Sequence, residues 1–227
     1  MNVIPQIVKD GFVRLVGPLA RAFIRAGIRP NVITTIGTLI VVGSGVAFGF
    51  GEIRLGGALL LASGVFDILD GQVARQGGMM TTFGAFYDST LDRVGESAVF
   101  AGLAIYFERG GVPEGRQTAA LGIALGALAM SMLVSYARAR AEGLGLECTV
   151  GIAPRAERIV LLGVPALLFG PGPNGMLLFW IVAILAVAAT VTVVQRVLYV
   201  ARVANTAPRQ AVKRETQPGV ATRRKGH

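Results

Sequence analysis

Long stretches without charge dominate this sequence, and they restrict its folding more than any other feature. Residues 32–50 carry no ionisable side chain, and nearly uncharged blocks return at about 117–137 and 176–203. A bilayer core takes roughly 20 helical residues to cross. With 53% hydrophobic residues and a mean hydropathy of +0.62, 227 residues leave room for about six such crossings and no separate soluble domain. The expected fold is therefore all-α, a six-transmembrane-helix bundle.

The spans follow from the breaks between apolar runs. Span one covers 32–50; a polar turn through Glu52 and Arg54 leads to span two, which starts at Leu55 and continues past Asp67, Asp70 and Arg75 to Gly77-Gly78. Span three runs over about 85–107 and span four over about 117–137. Span five has a short apolar core, 159–170, interrupted by Pro165, and is expected to reach back to Arg155 as a cavity-lining helix can. Span six runs over about 176–203 after a Gly/Pro-rich turn. Ahead of span one, over about 3–28, Ile4, Ile7, Val8, Phe12, Leu15, Val16, Leu19 and Phe23 recur at helical spacing among Lys9, Arg14, Arg21 and Arg25. This is the pattern of an interfacial amphipathic helix, and equally of a helix packed on the cytoplasmic face. Residues 1–29 lack the apolar core and cleavage site of a signal peptide and are expected to stay on the mature protein.

Net charge is +9, and its placement speaks for topology rather than for nucleic acid. Six spans put both termini on one side. Of the 22 lysines and arginines, all fall on that side except Arg54, Arg109 and Arg116 in the opposite turns and Arg93 within a span. By the inside-positive rule both termini are cytoplasmic and the protein belongs in the plasma membrane. Residues 1–204 form the membrane domain; 205–227, polar and basic, read as a disordered cytoplasmic tail. Cys148 is the single cysteine, which excludes an internal disulfide, and the single histidine, His227, is given no role.

Chemistry enters with four carboxylates. Ionisable groups inside spans are costly and persist mainly where they line a functional cavity. Asp67 and Asp70 are three apart near the inner end of span two; Asp88 and Asp92 are four apart near the inner end of span three. Each spacing puts the pair on one helix face. A short link makes the two helices antiparallel neighbours, so the acids can converge. Four carboxylates that close need a cation between them, and oxygen ligands without histidine or cysteine select a hard one, Mg2+ or else Mn2+ or Ca2+. Gly71 and Ala74 leave one face without bulk, Arg75 offers a planar fork to a diphosphate and Thr81 a hydroxyl, and Gly84 lets span three begin close to span two.

The pattern Asp67-x2-Asp70-Gly71-x2-Ala74-Arg75-x8-Gly84-x3-Asp88-x3-Asp92 resembles, position by position, the signature of the CDP-alcohol phosphotransferase family. The resemblance extends to the six-span layout and the amphipathic N-terminal helix. It implies that Asp67, Asp70, Asp88 and Asp92 hold one or two divalent ions. It further implies that Asp70, Gly71, Ala74, Arg75, Thr81 and Gly84 contact the CDP moiety, and that Asp92 is the general base. Asn31 and Thr34, after Pro30, resemble a family segment near the nucleotide, or else cap a helix. The implied reaction is attack of an acceptor hydroxyl on the lipid-side phosphorus of CDP-diacylglycerol with release of CMP, carried out by a magnesium-dependent homodimer in phospholipid synthesis.

Arg138 and Arg140, at the end of span four, and Arg155 and Arg158, before span five, are inner-side cations suited to a second phosphate. The stretches Ser135-Tyr136-Ala137-Arg138-Ala139-Arg140 and Pro154-Arg155-Ala156-Glu157-Arg158 resemble the phosphatidylinositol-phosphate synthases, although Arg138 stands where a lysine is usual and Ala156 where a proline is. That likeness implies an inositol phosphate acceptor held by Arg138, Arg155 and Arg158. A phosphatidylglycerol-phosphate synthase using glycerol 3-phosphate is the alternative. An ion-coupled transporter would want acids near mid-bilayer and broken helices in matched halves, and a prenyltransferase lacks the Gly-x2-Ala-Arg link.

Overall fold

A computed structural model describes residues 6–152 and 154–215, with side chains left undescribed at 6–10, 12–15 and 205–215. Among the described residues there are seven α-helices and no strand: α1 (Gln6–Arg25), α2 (Pro30–Gly49), α3 (Ile53–Gln76), α4 (Thr82–Tyr106), α5 (Gln117–Gly143), α6 (Arg155–Phe169) and α7 (Met176–Glu215). A π-helical turn, Phe107–Gly111, extends α4, and a 3-10 turn, Pro173–Gly175, precedes α7.

Local chemistry sets these limits. Pro30 stands at the first position of α2, where its missing N–H costs nothing. The α2–α3 turn needs a left-handed residue, and Gly51 supplies it at φ 84°; Gly78, at φ 64°, does the same after α3. Thr81 caps α4, its hydroxyl accepting from the Gly84 N–H at 2.9 Å.

α2 packs along both α3 and α4, α5 along α4 and α7, α6 along α3 and α7, and α1 along α3. Val41, Phe48, Leu60, Phe100, Leu103 and Leu162 belong to one buried apolar cluster. Val16 and Ala20 of α1 join Ile33, Leu69 and Val73 in a second, so α1 is docked on the bundle by that face while Leu19, Arg21 and Arg25 are exposed. The remaining apolar positions predicted for α1, Ile4, Ile7, Val8, Phe12 and Leu15, lie outside the described side chains.

Three helical segments are long and apolar enough to cross a membrane: Pro30–Gly49, Gln117–Gly143 and Pro173–Ala204. α3, α4 and α6 are not among them. α3 and α4 carry the aspartates and arginines singled out above, and α6 has only 15 residues, with Arg155, Glu157 and Arg158 in its first turns. Two boundaries differ from expectation by more than three residues. α5 continues past 137 to Gly143, because Arg, Ala and Glu are good helix formers, so Arg138 and Arg140 are helical. The backbone of α7 continues to Glu215, through part of the segment expected to be a disordered tail; an established helix propagates readily through residues such as Ala207, Gln210, Ala211 and Lys213. Residues 216–227 lie outside the described ones.

Candidate active site

α3 and α4 are joined by a short link and lie side by side against α2, and that arrangement groups the signature residues at one end of the bundle. Asp70 is 7% exposed, and Thr34 of α2 donates a hydrogen bond to its Oδ2 at 2.7 Å. Thr34 therefore reaches across to α3 and does not cap its own helix. The N-cap position of α2 is Arg29, without a side-chain cap bond, which removes the capping alternative for Asn31 as well. Asn31 stands instead beside Gly84: a Cβ at Gly84 would come within 3.4 Å of Asn31 Oδ1 and 3.0 Å of Thr81 Oγ1. Arg75 is exposed and folds over Gly71, where an added Cβ would meet its Nη2 at 3.1 Å and its Nη1 at 3.2 Å. Ala74, one turn along α3 from Gly71, is half-buried. Asn31, Gly84 and Thr81 thus form one small group, Gly71 and Arg75 another, and Thr34 with Asp70 a third.

The other aspartates face cations. Arg155, the first residue of α6, pairs with Asp92 and lies 3.4 Å from Asp67. One guanidinium thereby links α3, α4 and α6. Asp88 is within electrostatic reach of Asp67, Asp70, Arg93 and Arg155. With Asp67 and Asp92 turned to Arg155 and Asp70 to Thr34, no three acid, histidine or cysteine side chains make a metal-holding group among the described residues. The donor set still suits a hard divalent ion. It is built of carboxylate oxygens only, and a positive charge already sits between two of them, in the form of the Arg155 guanidinium.

The three expected acceptor arginines are not equivalent. Arg158 is 9% exposed; its Nη1 donates to Ser131 Oγ at 2.8 Å and lies 2.5 Å from Glu96 Oε1. Arg155 faces the aspartates. Arg138 is exposed and pairs with Glu142 one turn along α5, at 2.8 Å. Arg196 was counted in the sequence only as an inner-side cation. It is 9% exposed on α7, donates to the Val150 carbonyl at 3.0 Å and to that of Val134, and is electrostatically coupled to Arg158 and Arg138. A cation inside the inner third of an apolar run was the available sign of it. Glu96 and Arg93 also went unassigned: Arg93 lies 3.6 Å from Asp92 and 2.5 Å from Glu96, and also donates to Ser135 Oγ. Glu96 repeats the four-residue step from Asp88 to Asp92 once more, so its face was legible but not its partners.

Comparison with known proteins converges on one family. The profile of the family described as CDP-alcohol phosphatidyltransferase matches residues 28–194. Phosphatidylinositol phosphate synthase of Cutibacterium acnes is 37% identical over 202 residues, covering 86% of this chain and 96% of that protein. Archaetidylinositol phosphate synthase of Methanothermobacter thermautotrophicus is 37% identical over 194 residues, covering 81% and 91%. Among solved structures, Mycobacterium tuberculosis phosphatidylinositol phosphate synthase with CDP-DAG bound superposes with a TM-score of 0.72 at 35% identity, covering 82% of this chain and 94% of that one. The same enzyme in complex with manganese and citrate gives 0.70 at 35% identity, covering 81% and 87%.

Proposed function

The chain belongs to the CDP-alcohol phosphatidyltransferase family and is a transferase, and from that we propose that it makes phosphatidylinositol phosphate. It moves the phosphatidyl group of CDP-diacylglycerol to a hydroxyl of inositol phosphate and releases CMP. The relatives named for this activity span nearly the whole membrane portion of the chain.

The observation that carries the acceptor assignment is the Arg155–Asp92 pair. It sets a cation suited to the acceptor's phosphate against the carboxylate that takes the proton of the attacking hydroxyl. Asp67, Asp70, Asp88 and Asp92 are the residues that would hold Mg2+ or Mn2+, and manganese accompanies a solved relative. Bound there, a divalent ion supplies neutralisation of the charge that develops on the departing CMP. Asn31, Thr34, Asp70, Gly71, Ala74, Arg75, Thr81 and Gly84 form the CDP cradle. Within it Thr34 fixes Asp70, Arg75 offers its fork to the diphosphate, and Asn31 with Thr81 lines the approach that Gly84 keeps open. The lipid tails remain in the bilayer, because the site lies between helices rather than in a closed pocket.

In this reading α2 to α7 make six spans, both termini and the site face the cytoplasm at the plasma membrane, α1 lies at the interface, and two copies form a homodimer. The support for the orientation is the distribution of lysine and arginine, and that for α1 is its docking through Val16 and Ala20; the homodimer follows from the family resemblance.

The test supplies membranes containing the protein with labelled CDP-diacylglycerol and, in turn, inositol phosphate, glycerol 3-phosphate, inositol or serine. Product is expected from inositol phosphate, lost with chelator and restored by Mg2+ or Mn2+. Product from glycerol 3-phosphate or serine alone overturns the acceptor assignment, and chelator-resistant turnover overturns the role of the four aspartates.

A further inference from the structure

Glu96 is a carboxylate at this end of the bundle that stands outside the signature. It lies one turn beyond Asp92 on α4, its side chain 10% exposed, and its two oxygens face different guanidinium groups: Oε1 is 2.5 Å from Arg158 Nη1 and Oε2 is 2.5 Å from Arg93 Nη1. Each arginine is also held, through the same Nη1, by a hydroxyl of α5. Arg158 donates to Ser131 at 2.8 Å and Arg93 to Ser135, one turn further along. One connected set of charges and hydroxyls therefore joins α4, α5 and α6.

The set is unevenly satisfied. Arg158 Nη1 is used twice, on Glu96 and on Ser131, while its buried Nε has no hydrogen-bond partner among the described residues. A guanidinium presents five donors in a rigid fork, so one anchored through a single nitrogen has donors left for another oxyanion. Arg93 is shared differently: its Nη1 serves Glu96 and Ser135 while its Nη2 lies 3.6 Å from Asp92, so Glu96 competes with Asp92 for the same guanidinium. A buried guanidinium that loses its counter-charge does not hold its place, because the uncompensated charge is costly.

Resting on the acceptor reading above, we propose that Glu96 is a positioning residue of the acceptor site: it fixes Arg158 to receive the acceptor's phosphate and limits Arg93 to its present 3.6 Å approach to Asp92. Glu96 touches neither substrate. Its effect passes through the two arginines, and Ser131 and Ser135 set the angle at which each is held.

The experiment measures steady-state kinetics for both substrates in detergent-solubilised full-length protein. Glu96→Gln keeps the volume and one acceptor oxygen but removes the charge. It is expected to raise the KM for inositol phosphate about tenfold, the scale of one lost charge-assisted contact, while the KM for CDP-diacylglycerol stays within about twofold. Glu96→Asp keeps the charge and shortens the reach; a rise of about threefold is expected, and this variant carries the same reading if the glutamine one does not fold. In an Arg158→Lys background Glu96→Gln is expected to add less than about twofold, because two residues acting through one contact are not additive. An acceptor KM that is unchanged or lowered, a parallel rise for both substrates, or full additivity with Arg158→Lys overturns the proposal. Failure of the wild-type protein to use inositol phosphate overturns the acceptor reading instead, and is seen before any variant is made.

Discussion

Asp92 meets three demands at one position: it pairs with Arg155, it lies 3.6 Å from Arg93, and in the proposed reaction it takes the acceptor proton as one of the four metal-binding acids. Asp92→Asn keeps the shape and removes the basic oxygen pair. Turnover is expected to fall by about 10²-fold or more, the usual contribution of a positioned base, with chromatographic behaviour and thermal midpoint in detergent close to wild type. An Asn variant with wild-type kcat would remove Asp92 from the chemistry. At this scale the sequence was informative about which residues share a helix face and silent about which side chains meet across helices. The three- and four-residue spacings placed Asp67 with Asp70 and Asp88 with Asp92. Nothing along the chain announced that Thr34 would reach Asp70 or that Arg155 would bridge Asp67 and Asp92, since those pairings depend on how far each helix is rotated in the bundle.

The same division holds for whole helices, where apolar runs and breakers located the seven helices but not all of their ends or their depth of contact. At Gly45 and Gly102 the helices α2 and α4 meet backbone to backbone. A Cβ at Gly45 would fall 2.3 Å from the Ala98 carbonyl oxygen, and one at Gly102 would fall 1.9 Å from the oxygen of Gly45 itself. Both obstacles are backbone, so neither rotates away, and the helices must separate. Small residues at a crossing are the usual means of close helix approach in membranes. Gly102→Ala is therefore expected to cost about 1–3 kcal/mol, the range for overpacking, and to lower the thermal midpoint by several degrees. Gly122→Ala on α5, where nothing lies within 4 Å of an added Cβ, is the control and should change stability by no more than about 1 kcal/mol. Equal midpoints for the two variants would show that the α2–α4 crossing is not set by backbone contact. The sequence held these glycines in plain view, but a glycine within an apolar run has the same appearance whether it faces a neighbouring backbone or open lipid.

For the molecule as a whole, the division of labour between helices ties fold to function. α2, α5 and α7 are apolar enough to cross a bilayer by composition, while α3, α4 and α6 carry the acids and arginines of the site. Each charged helix packs against at least one apolar one: α3 and α4 against α2, α4 also against α5, and α6 against α7. Charged groups that would be costly facing lipid are thereby gathered between helices at one end. In the proposed reaction that end receives the water-soluble acceptor phosphate and releases CMP, so orientation in the membrane is a functional requirement of the proposal, and the bias of lysine and arginine predicts it. The native Cys148 is fully buried, so single cysteines introduced at exposed turns report cleanly. Glu114→Cys lies in the exposed turn between α4 and α5, and Leu144→Cys in the exposed one between α5 and α6. In intact cells a membrane-impermeant maleimide is expected to label Glu114→Cys and to leave Leu144→Cys unmodified until the membrane is opened. The reverse pattern would put the arginine cluster and the aspartates outside the cell, away from any supply of the nucleotide-activated lipid, and the assignment of this end of the bundle as a cytoplasmic active site would fail.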